Sequence, residues 1–494
     1  MNKVTVTIQG ANYIMVGEKT DKEILTIANY VNSEMDKLKE SAPNLGSLQV
    51  SICTPLNLGI FWKLPNRHIP RLCMKFVHRG GICLFFFMNE DGRLAAQNRK
   101  RAYNGPYGNR GERMEHILTS EAVTRGHPDK ICDQIADAVL DAVLAEEPEA
   151  RVACETAVWK DGLCIFGELS ARQEPDYETI AREVLRKIGY DRPELGFDWE
   201  TCSVQVHMHP QSPDIARGVS HRAAEDTGAG DQGILFGYAC RETEDLMPLP
   251  ITLANRLARR LEVVGRDGTL PWLRPDGKTQ VSVAYRDGKP VQITTVVLSA
   301  QHAPDIAVED LRETLRQKVI LPTLPAELVD ENTLLYINPT GRFVIGGPAG
   351  DSGLTGRKLL ADTYGSAARH GGGSISGKDP TKMDRTGAYL ARYLAKNIVA
   401  AGLAERCEVQ LAYAIGLADP VSVAVDTYGT GTVRDEALAG WLEENVDMRP
   451  GVIIRRFGLT QPIYQPLACY GHFGENARGM PWERTDLRLP RSFD

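Results

Sequence analysis

A glycine-rich stretch at residues 369–385, R-H-G-G-G-S-I-S-G-K-D-P-T-K-M-D-R, combines a flexible backbone with closely spaced cations. From Gly372 it reads G-x-x-x-x-G-K, the pattern of a phosphate-binding loop. Such a loop continues with a Ser or Thr hydroxyl that binds magnesium, whereas this sequence continues with Asp379. The stretch is therefore either a P-loop that has lost its magnesium-binding hydroxyl or a loop that holds phosphates by a different chemistry.

Three other motifs carry groups of the same kind. Residues 126–130, G-H-P-D-K, put an imidazole, a carboxylate and an ammonium within one turn. Residues 228–233, G-A-G-D-Q-G, give backbone that a ligand can approach closely, with one charge at Asp231. Arg357 and Lys358 follow a further glycine-rich run. Each motif alone has an ordinary alternative, a helix cap or a turn. Together they supply the cations, carboxylates and glycine loops that a polyphosphate with magnesium requires.

The elements that position these motifs can be read from hydrophobic periodicity. The pattern predicts helices at residues 133–143, 308–319 and 387–401, strands at 151–158 and 407–415, and a hairpin of 280–285 with 291–298. Hairpins occur beside long helices, and this mixture favours an α+β fold with mixed sheets over a doubly wound parallel sheet.

Composition limits the class of protein. The 494 residues are 43% hydrophobic and 24% charged, which is typical of a globular chain with several domains. A net charge of -7 argues against a nucleic-acid-binding protein. The longest apolar run, at residues 82–88, is far shorter than the roughly 18 residues of a membrane span. Without a signal-peptide pattern, and with ten cysteines that form no C-x-x-C pair, a reduced cytoplasmic location is expected.

The first 113 residues differ in character from the rest. Residues 1–45 predict a β-hairpin followed by an amphipathic helix that opens with a capping box at Thr20. Residues 51–113 hold eleven Lys or Arg against three Asp or Glu, and their propensities and turn residues conflict. We interpret residues 59–113 as an unstructured connector of translated non-coding sequence, with Met114 as the natural start. The alternative is a basic arm for RNA or acidic lipid.

The motifs of the long coherent part resemble those of the S-adenosylmethionine synthetase (methionine adenosyltransferase) family. The resemblance rests on residues 126–130, 228–233, 338–343 (N-P-T-G-R-F) and 370–379, in the family's order and spacing. It implies three similar sheet-and-helix domains in a pseudo-threefold arrangement, at residues 114–214, 225–342 and 343–494. It also implies a homodimer with shared active sites, paired into a dimer of dimers.

The implied reaction joins ATP and L-methionine. Methionine sulfur attacks the ribose C5′ and expels triphosphate, which is then hydrolysed to diphosphate and phosphate. A neutral thioether has no proton to lose, so positioning and electrostatics must provide the rate, without a general base.

Matching positions imply the site residues. The catalytic residues are His127, Lys278, Lys378 and Asp231. The ATP contacts are His127, Asp276, Lys278, Arg342, Phe343, Asp351, Arg357, Lys358, Ser374 and Lys378. The methionine contacts are Glu168, Gln211, Asp351 and Lys382. Two Mg²⁺ are implied per site, with ligands Asp129 and Asp384, and one K⁺ with ligand Glu155. Residues 211–219 resemble a mobile loop that closes over the substrates.

Two positions depart from the family pattern. Arg125 stands where an acidic residue is usual, and Ile375 stands where an aromatic residue is usual. Neither is expected to touch the reacting atoms. We therefore expect activity, and loop packing and nucleotide affinity are the two properties that these departures put in question.

Residues 1–58 resemble the start of the ZapA family of division-ring-associated proteins, which dimerise through a hairpin-helix head and a long helix. Pro55 falls where that helix should continue, and a proline inside a helix costs about 3 kcal/mol or more. Two hypotheses follow: a transferase with a truncated hairpin-helix extension, or a division-ring scaffold with a nucleotide-binding domain. The filled set of polar positions favours the transferase.

Overall fold

The computed structural model describes residues 116–211 and 227–490, together with the backbone of residues 2–8, 11–17, 72–77 and 83–88. The chain divides into two compact units, Met1–Gly111 and Glu112–Asp494. The helix predicted after the N-terminal hairpin, most of the ZapA-like segment and residues 212–219 of the predicted mobile loop lie outside the described residues.

The described part of the first unit contains two antiparallel strand pairs. Strand β1 (Asn2–Ile8) pairs with β2 (Ala11–Gly17), and β3 (Leu72–Val77) pairs with β4 (Cys83–Met88). The second pair lies inside the segment for which the sequence predicts a connector without structure. Its strands are rich in apolar and aromatic residues, which favour extended backbone.

Over residues 116–211 and 227–490, the second unit builds three sheets with helices packed on them. Its strands are β5 (His116–Val123), β6 (Arg151–Trp159), β7 (Gly162–Ser170), β8 (Ser203–His209), β9 (Gly233–Cys240), β10 (Leu273–Arg286), β11 (Lys289–His302), β12 (Leu334–Ile337), β13 (Gly353–Leu354), β14 (Arg406–Tyr413) and β15 (Ser422–Asp426). Its helices are α1 (Pro128–Glu146), α2 (Tyr177–Ile188), α3 (Leu249–Arg266), α4 (Val308–Leu315), α5 (Leu359–Asp362), α6 (Met383–Ala400), α7 (Asp435–Asn445) and α8 (Pro450–Phe457).

The sheets are interleaved along the chain. Their strand orders are β12-β11-β10-β5, β13-β6-β7-β8 and β15-β14-β9. Each sheet thus takes one strand from another part of the sequence: β5, β13 and β9 all cross over. The predicted domains are continuous stretches of sequence, whereas each sheet combines strands from separate stretches. The pairs β11 with β12 and β7 with β8 are parallel and the other pairs are antiparallel, so two of the three sheets are mixed, as predicted, whereas the sheet β15-β14-β9 is antiparallel throughout.

Each sheet carries a long helix. Helix α1 packs on β6, α3 packs on β10 and β5, and α6 packs on β9 and β14. The helix predicted at residues 308–319 is α4 followed by a π-helical turn, Arg316–Ile320, and the hairpin predicted around Asp287 is β10 with β11. Among the helices of the described residues, none has both the length and the apolar character needed to cross a bilayer.

Candidate active site

Two cation-bearing loops lie along one edge of β6. In the first, residues 353–358, β13 pairs with β6 and the Thr355 N–H donates to the Thr156 carbonyl at 3.0 Å. In the second, residues 377–379, the Gly377 carbonyl accepts the Cys154 N–H at 2.9 Å. The loops therefore sit end to end on the strand, which brings Arg357 and Lys358 of the first loop toward Lys378 of the second. We call them the Lys358 loop and the Lys378 loop.

Asp129, in the first turn of α1, holds the Lys358 loop. Its Oδ1 accepts the Leu354 N–H at 3.0 Å, and its Oδ2 accepts a hydrogen bond from Lys358 Nζ at 2.6 Å. Arg357 Nη1 lies 3.6 Å from Oδ1. Burial acts to raise the pKa of Asp129, but the bonds from Lys358 and Leu354 outweigh it, and the pKa falls below its ordinary value. Asp129 is thus a carboxylate at neutral pH.

His127 precedes α1 as its N-cap. The residue is 8% exposed, and its Nδ1 accepts the Asp129 N–H at 3.2 Å. Burial, and then the positive charge of Lys358, lower the pKa of His127 to about 3. The imidazole is therefore neutral at physiological pH. Because Nδ1 accepts, the ring proton is on Nε2, which can donate a hydrogen bond to a ligand.

The Lys378 loop pairs its lysine with a second carboxylate. Lys378 Nζ lies 2.6 Å from Asp384 Oδ2, in the first turn of α6. The neighbouring Asp379 is buried, accepts the Val152 N–H at 2.7 Å and lies 2.6 Å from Lys382 Nζ. Asp379 therefore ties the loop to β6, which explains why this position differs from the hydroxyl residue of a P-loop.

Asp276 and Lys278 reach the same region from β10. Asp276 Oδ2 accepts the Gly347 N–H at 2.8 Å and so holds the turn that precedes Asp351. Burial raises the pKa of Asp276 to about 6. The charge of Lys278 also contributes, after burial and the charge of Lys358, to the lowered pKa of His127.

Residues 228–233 approach the start of α6. The Gly230 N–H donates to the Thr381 carbonyl at 3.3 Å, and Asp231 is exposed nearby, with its Oδ1 accepting the Gln232 N–H at 2.7 Å. The predicted Asp231 thus lies on the same side of the structure as Lys382 and Asp384.

Glu155 and Glu168 share one face of the β6–β7 pair. Glu168 is opposite Ala153, two residues from Glu155 on the same strand. Burial raises the pKa of Glu155, and the charge of Lys378 opposes this rise. Gln211 follows β8, and its N–H donates to the Ser170 hydroxyl at 3.3 Å beside the end of β7. Glu155 thus adjoins Cys154, which anchors the Lys378 loop, and Gln211 contacts Ser170, two residues after Glu168.

The remaining predicted ATP contacts are less closely tied to this cluster. Within the described ranges, exposed Arg342 makes no hydrogen bond or ion pair, and the Phe343 N–H donates to His302 Nε2 at 2.9 Å. Exposed Asp351 accepts the Ser352 N–H at 2.8 Å. The Ser374 hydroxyl is buried without a hydrogen-bond partner.

The sequence reasoning missed two residues of the same helix, Asp133 and Asp137. Both are fully buried and bind the backbone of the two loops. Asp129, Asp133 and Asp137 follow one another at intervals of four residues, which puts all three carboxylates on one helical face, and this regularity is visible in the sequence.

The two departures from the family pattern have structural surroundings of their own. Arg125 Nε lies 3.3 Å from Glu262 Oε2, on the wall of a cavity of about 320 Å³ that also includes Arg274 and Asp276. Ile375 is buried in the hydrophobic core. Neither side chain contacts the lysine–carboxylate pairs.

Cations held on carboxylates beside glycine-rich loops, on an α+β scaffold, are the arrangement that a protein of the polyphosphate-binding class requires. Residues 115–213 match the N-terminal domain of S-adenosylmethionine synthetase, residues 226–343 its central domain, and residues 345–484 its C-terminal domain. The chain belongs to the S-adenosylmethionine synthetase family.

Two relatives illustrate the similarity. The chain is 55% identical over 371 residues to an S-adenosylmethionine synthase of Solidesulfovibrio magneticus, covering 75% of this chain and 95% of the relative. It is 55% identical over 372 residues to an S-adenosylmethionine synthase of Maridesulfovibrio salexigens, covering 75% and 96%. The three domain matches begin at residue 115, and the resemblance of residues 1–58 to the ZapA family finds no support in these comparisons.

Proposed function

We propose that this chain is a methionine adenosyltransferase, which forms S-adenosylmethionine from ATP and L-methionine. The observation that carries the proposal is the pair of loops on β6, which places Lys358 and Lys378 on carboxylates 2.6 Å away. A triphosphate leaving group needs several preorganised cations at once, and preorganised charge is usually the largest catalytic contribution.

The chemistry is a displacement at carbon. The methionine sulfur donates its lone pair to the ribose C5′, the C5′–O bond breaks, and its electrons leave with the triphosphate. The neutral His127 is suited to donate its Nε2 proton in a hydrogen bond to the departing oxygen. Triphosphate is then hydrolysed to diphosphate and phosphate within the same site.

The residues fit the implied metal ions. Asp129 and Asp384 are hard oxygen donors, and among the described residues no three His, Cys, Asp or Glu side chains gather into a metal site of their own. Magnesium usually takes one or two carboxylates and completes its coordination with substrate phosphates and water. We assign one Mg²⁺ to Asp129 and one to Asp384. When bound, they neutralise charge on the triphosphate.

The proposed potassium ligand is Glu155. Its carboxylate is partly buried and carries a raised pKa, so a monovalent cation beside it would compensate a charge that burial disfavours. An oxygen donor of this kind suits a hard monovalent ion.

We propose that the substrates divide the site into two ends. The ATP end comprises His127, Asp276, Lys278, Arg342, Phe343, Asp351, Arg357, Lys358, Ser374 and Lys378. The methionine end comprises Glu168, Gln211, Asp351 and Lys382, and Asp231 lies near the ribose and the new sulfonium. The contacts of Asp129 with Lys358 and of Asp384 with Lys378 support the phosphate part of this division.

The quaternary proposal is a homodimer with shared sites, paired into a dimer of dimers, in the cytoplasm. It is supported by large apolar side chains left exposed on strands of all three sheets, including Ile117 at 50%, Phe166 at 37% and Ile234 at 49%. Contiguous apolar surface marks association sites, and a dimer interface on these sheets would cover such side chains. The pseudo-threefold relation among the three domains belongs to the same proposal.

The test is product formation by the purified chain. With ATP, methionine, Mg²⁺ and K⁺, mass spectrometry should detect S-adenosylmethionine together with equal amounts of diphosphate and phosphate. Lys378→Met should abolish most of the rate, while Lys289→Met, at an exposed hairpin turn, should not. A folded, dimeric chain that binds ATP without making product would favour the alternative of a nucleotide-binding scaffold.

A further inference from the structure

Helix α1 carries four aspartates at intervals of four residues, Asp129, Asp133, Asp137 and Asp141. At this spacing their side chains form one row along the helix. Each accepts a backbone N–H from a segment more than 200 residues further along the chain. We call this row the carboxylate ladder.

Asp133 and Asp137, the two middle residues of the carboxylate ladder, bind the glycines that directly precede the cationic residues of the two loops. Asp133 Oδ1 accepts the Gly356 N–H at 2.9 Å, and Gly356 immediately precedes Arg357 and Lys358. Asp137 Oδ1 accepts the Gly377 N–H at 2.8 Å, and Gly377 immediately precedes Lys378.

Both glycines have left-handed backbone that their surroundings also require. Gly356 has φ +73° and Gly377 has φ +78°. A Cβ at Gly356 would collide with the Ser374 side chain, and a Cβ at Gly377 would collide with the Cys154 carbonyl. Each loop is therefore clamped between α1 on one side and β6 on the other.

Buried cations pair with the carboxylates of the ladder and add further contacts that fix the loops. Lys130 Nζ lies 2.8 Å from Asp133 Oδ2 and also bonds Asp362. Arg385 Nη2 lies 2.5 Å from Asp137 Oδ1, and Arg385 Nε donates to the Lys378 carbonyl at 2.6 Å. Lys378 is thus fixed through the residue before it and through its own carbonyl.

We propose that Asp133 and Asp137 are positioning residues for the triphosphate-binding cations. Neither touches substrate. Asp133 sets the backbone from which Arg357 and Lys358 extend, and Asp137 sets the backbone from which Lys378 extends. Asp133 and Asp137 lie about 6 Å apart along the axis of α1, because they are four residues apart and the helix rises about 1.5 Å per residue. The ladder therefore fixes the separation of the two cation groups that face one polyphosphate.

Asp141 offers a matched control within the same row. It accepts the Tyr464 N–H at 3.0 Å and the Gln465 N–H at 2.8 Å, so its bonds are of the same kind. The segment it holds carries no proposed substrate contact. Removing this rung tests what the loss of a helix-to-loop bond does to folding alone.

The experiment compares Asp→Ala and Asp→Asn at Asp133, Asp137 and Asp141 in the full chain. Asparagine keeps one acceptor oxygen for the glycine N–H but loses the charge that pairs with Lys130 or Arg385. Alanine loses both. A misplacement near 1 Å can cost about 100-fold in rate.

The proposal predicts a kinetic pattern that stability alone does not produce. Asp133→Ala and Asp137→Ala should lower kcat for adenosyl transfer and for hydrolysis of added tripolyphosphate by at least about 10-fold, while the KM for methionine changes less than about 2-fold. The asparagine variants should recover most of kcat despite a lower Tm. Asp141→Ala should lower Tm with kcat unchanged.

The opposite pattern overturns the proposal. If kcat followed Tm across all variants, with asparagine no better than alanine at equal Tm, the ladder would be only structural. Where an alanine variant does not fold, the serine variant is used in its place. Serine keeps a polar side chain, but its hydroxyl is too short to reach the glycine N–H, so the helix-to-loop hydrogen bond is still lost.

The kinetic readout rests on the proposed function, so binding of tripolyphosphate with Mg²⁺ is measured by calorimetry as well. Weaker binding in Asp133→Ala and Asp137→Ala but not in Asp141→Ala would support the ladder even if no S-adenosylmethionine formed. Unchanged binding in all three would reject the ladder independently of the reaction.

Discussion

Lys358 Nζ lies 2.6 Å from Asp129 Oδ2, although the two residues are 229 positions apart in the chain. This contact joins the first turn of α1 to the loop on the edge of β6. The same Lys358 lowers the pKa of His127. One ammonium thus orders a proposed metal ligand and helps to keep the neighbouring imidazole neutral.

The proposed division of the site predicts different effects for two carboxylates. Asp129→Asn should slow both adenosyl transfer and tripolyphosphate hydrolysis by about 100-fold or more, because both steps need the phosphate charge neutralised. Glu168→Gln should raise the KM for methionine and spare hydrolysis of added tripolyphosphate. Steady-state assays of both reactions check this, in proteins of matched Tm. Equal loss of hydrolysis in the two variants would refute the division.

Glycine at position 377 is required by both conformation and space. Gly377→Ala should destabilise the fold by more than the roughly 1–2 kcal/mol of left-handed strain, because the new Cβ also meets the Cys154 carbonyl. Gly268→Ala is the matched control, with φ +79° and no atom within 4 Å of its Cβ. Denaturant unfolding should rank Gly377→Ala well below Gly268→Ala, and tripolyphosphate binding should weaken only in the former. Equal destabilisation would mean that the loop relaxes freely.

The sequence predicted the regular elements of the synthetase part well. The helix at 387–401 is α6 at Met383–Ala400, and the strand at 407–415 is β14 at Arg406–Tyr413. Such elements can be predicted because the hydrophobic periodicity of a helix or strand depends only on residues that are close in sequence. The crossing of β5, β9 and β13 into other sheets depends on long-range pairing, which no local pattern encodes.

The site was predictable as a set of residues but not as an arrangement. Resemblance supplied Asp129, Lys358 and Lys378, whose roles stay predictions. The pairings with their partners depend on how two loops dock on β6, and so appear only in the fold. Asp379 is an example. In the sequence it only marks the absence of the Ser or Thr that a P-loop has at this position, whereas in the structure it is buried and accepts the Val152 N–H.

Removal of residues 1–113 should leave activity intact. The first compact unit ends at Gly111, the family matches begin at residue 115, and no proposed site residue lies before residue 115. A chain that starts at Met114 should therefore form S-adenosylmethionine with kcat equal to or above that of the full chain, because it retains every proposed site residue. A well-folded truncated chain that lost most of its kcat would show that the N-terminal residues contribute to catalysis.

Stability should depend on pH through Asp141, outside the proposed substrate contacts. Burial raises the pKa of Asp141 to about 6, and the N–H bonds from Gln465 and Tyr464 offset only part of that effect. A carboxyl whose folded pKa exceeds its unfolded pKa binds its proton more tightly when folded. The folded state is therefore penalised at neutral pH, and the penalty is relieved as the pH falls from about 6 toward the unfolded value near 3.9.

Asp141→Asn should remove this dependence. The free energy of unfolding of the wild type, measured relative to that of Asp141→Asn, should rise as the pH is lowered from 7 to 5. Urea unfolding at several pH values gives the comparison, because all other titrating groups are common to both proteins and cancel in the difference. A difference that stayed constant over this range would show that Asp141 titrates at its ordinary pKa in the folded chain, and that solvent reaches its carboxylate despite the surrounding core.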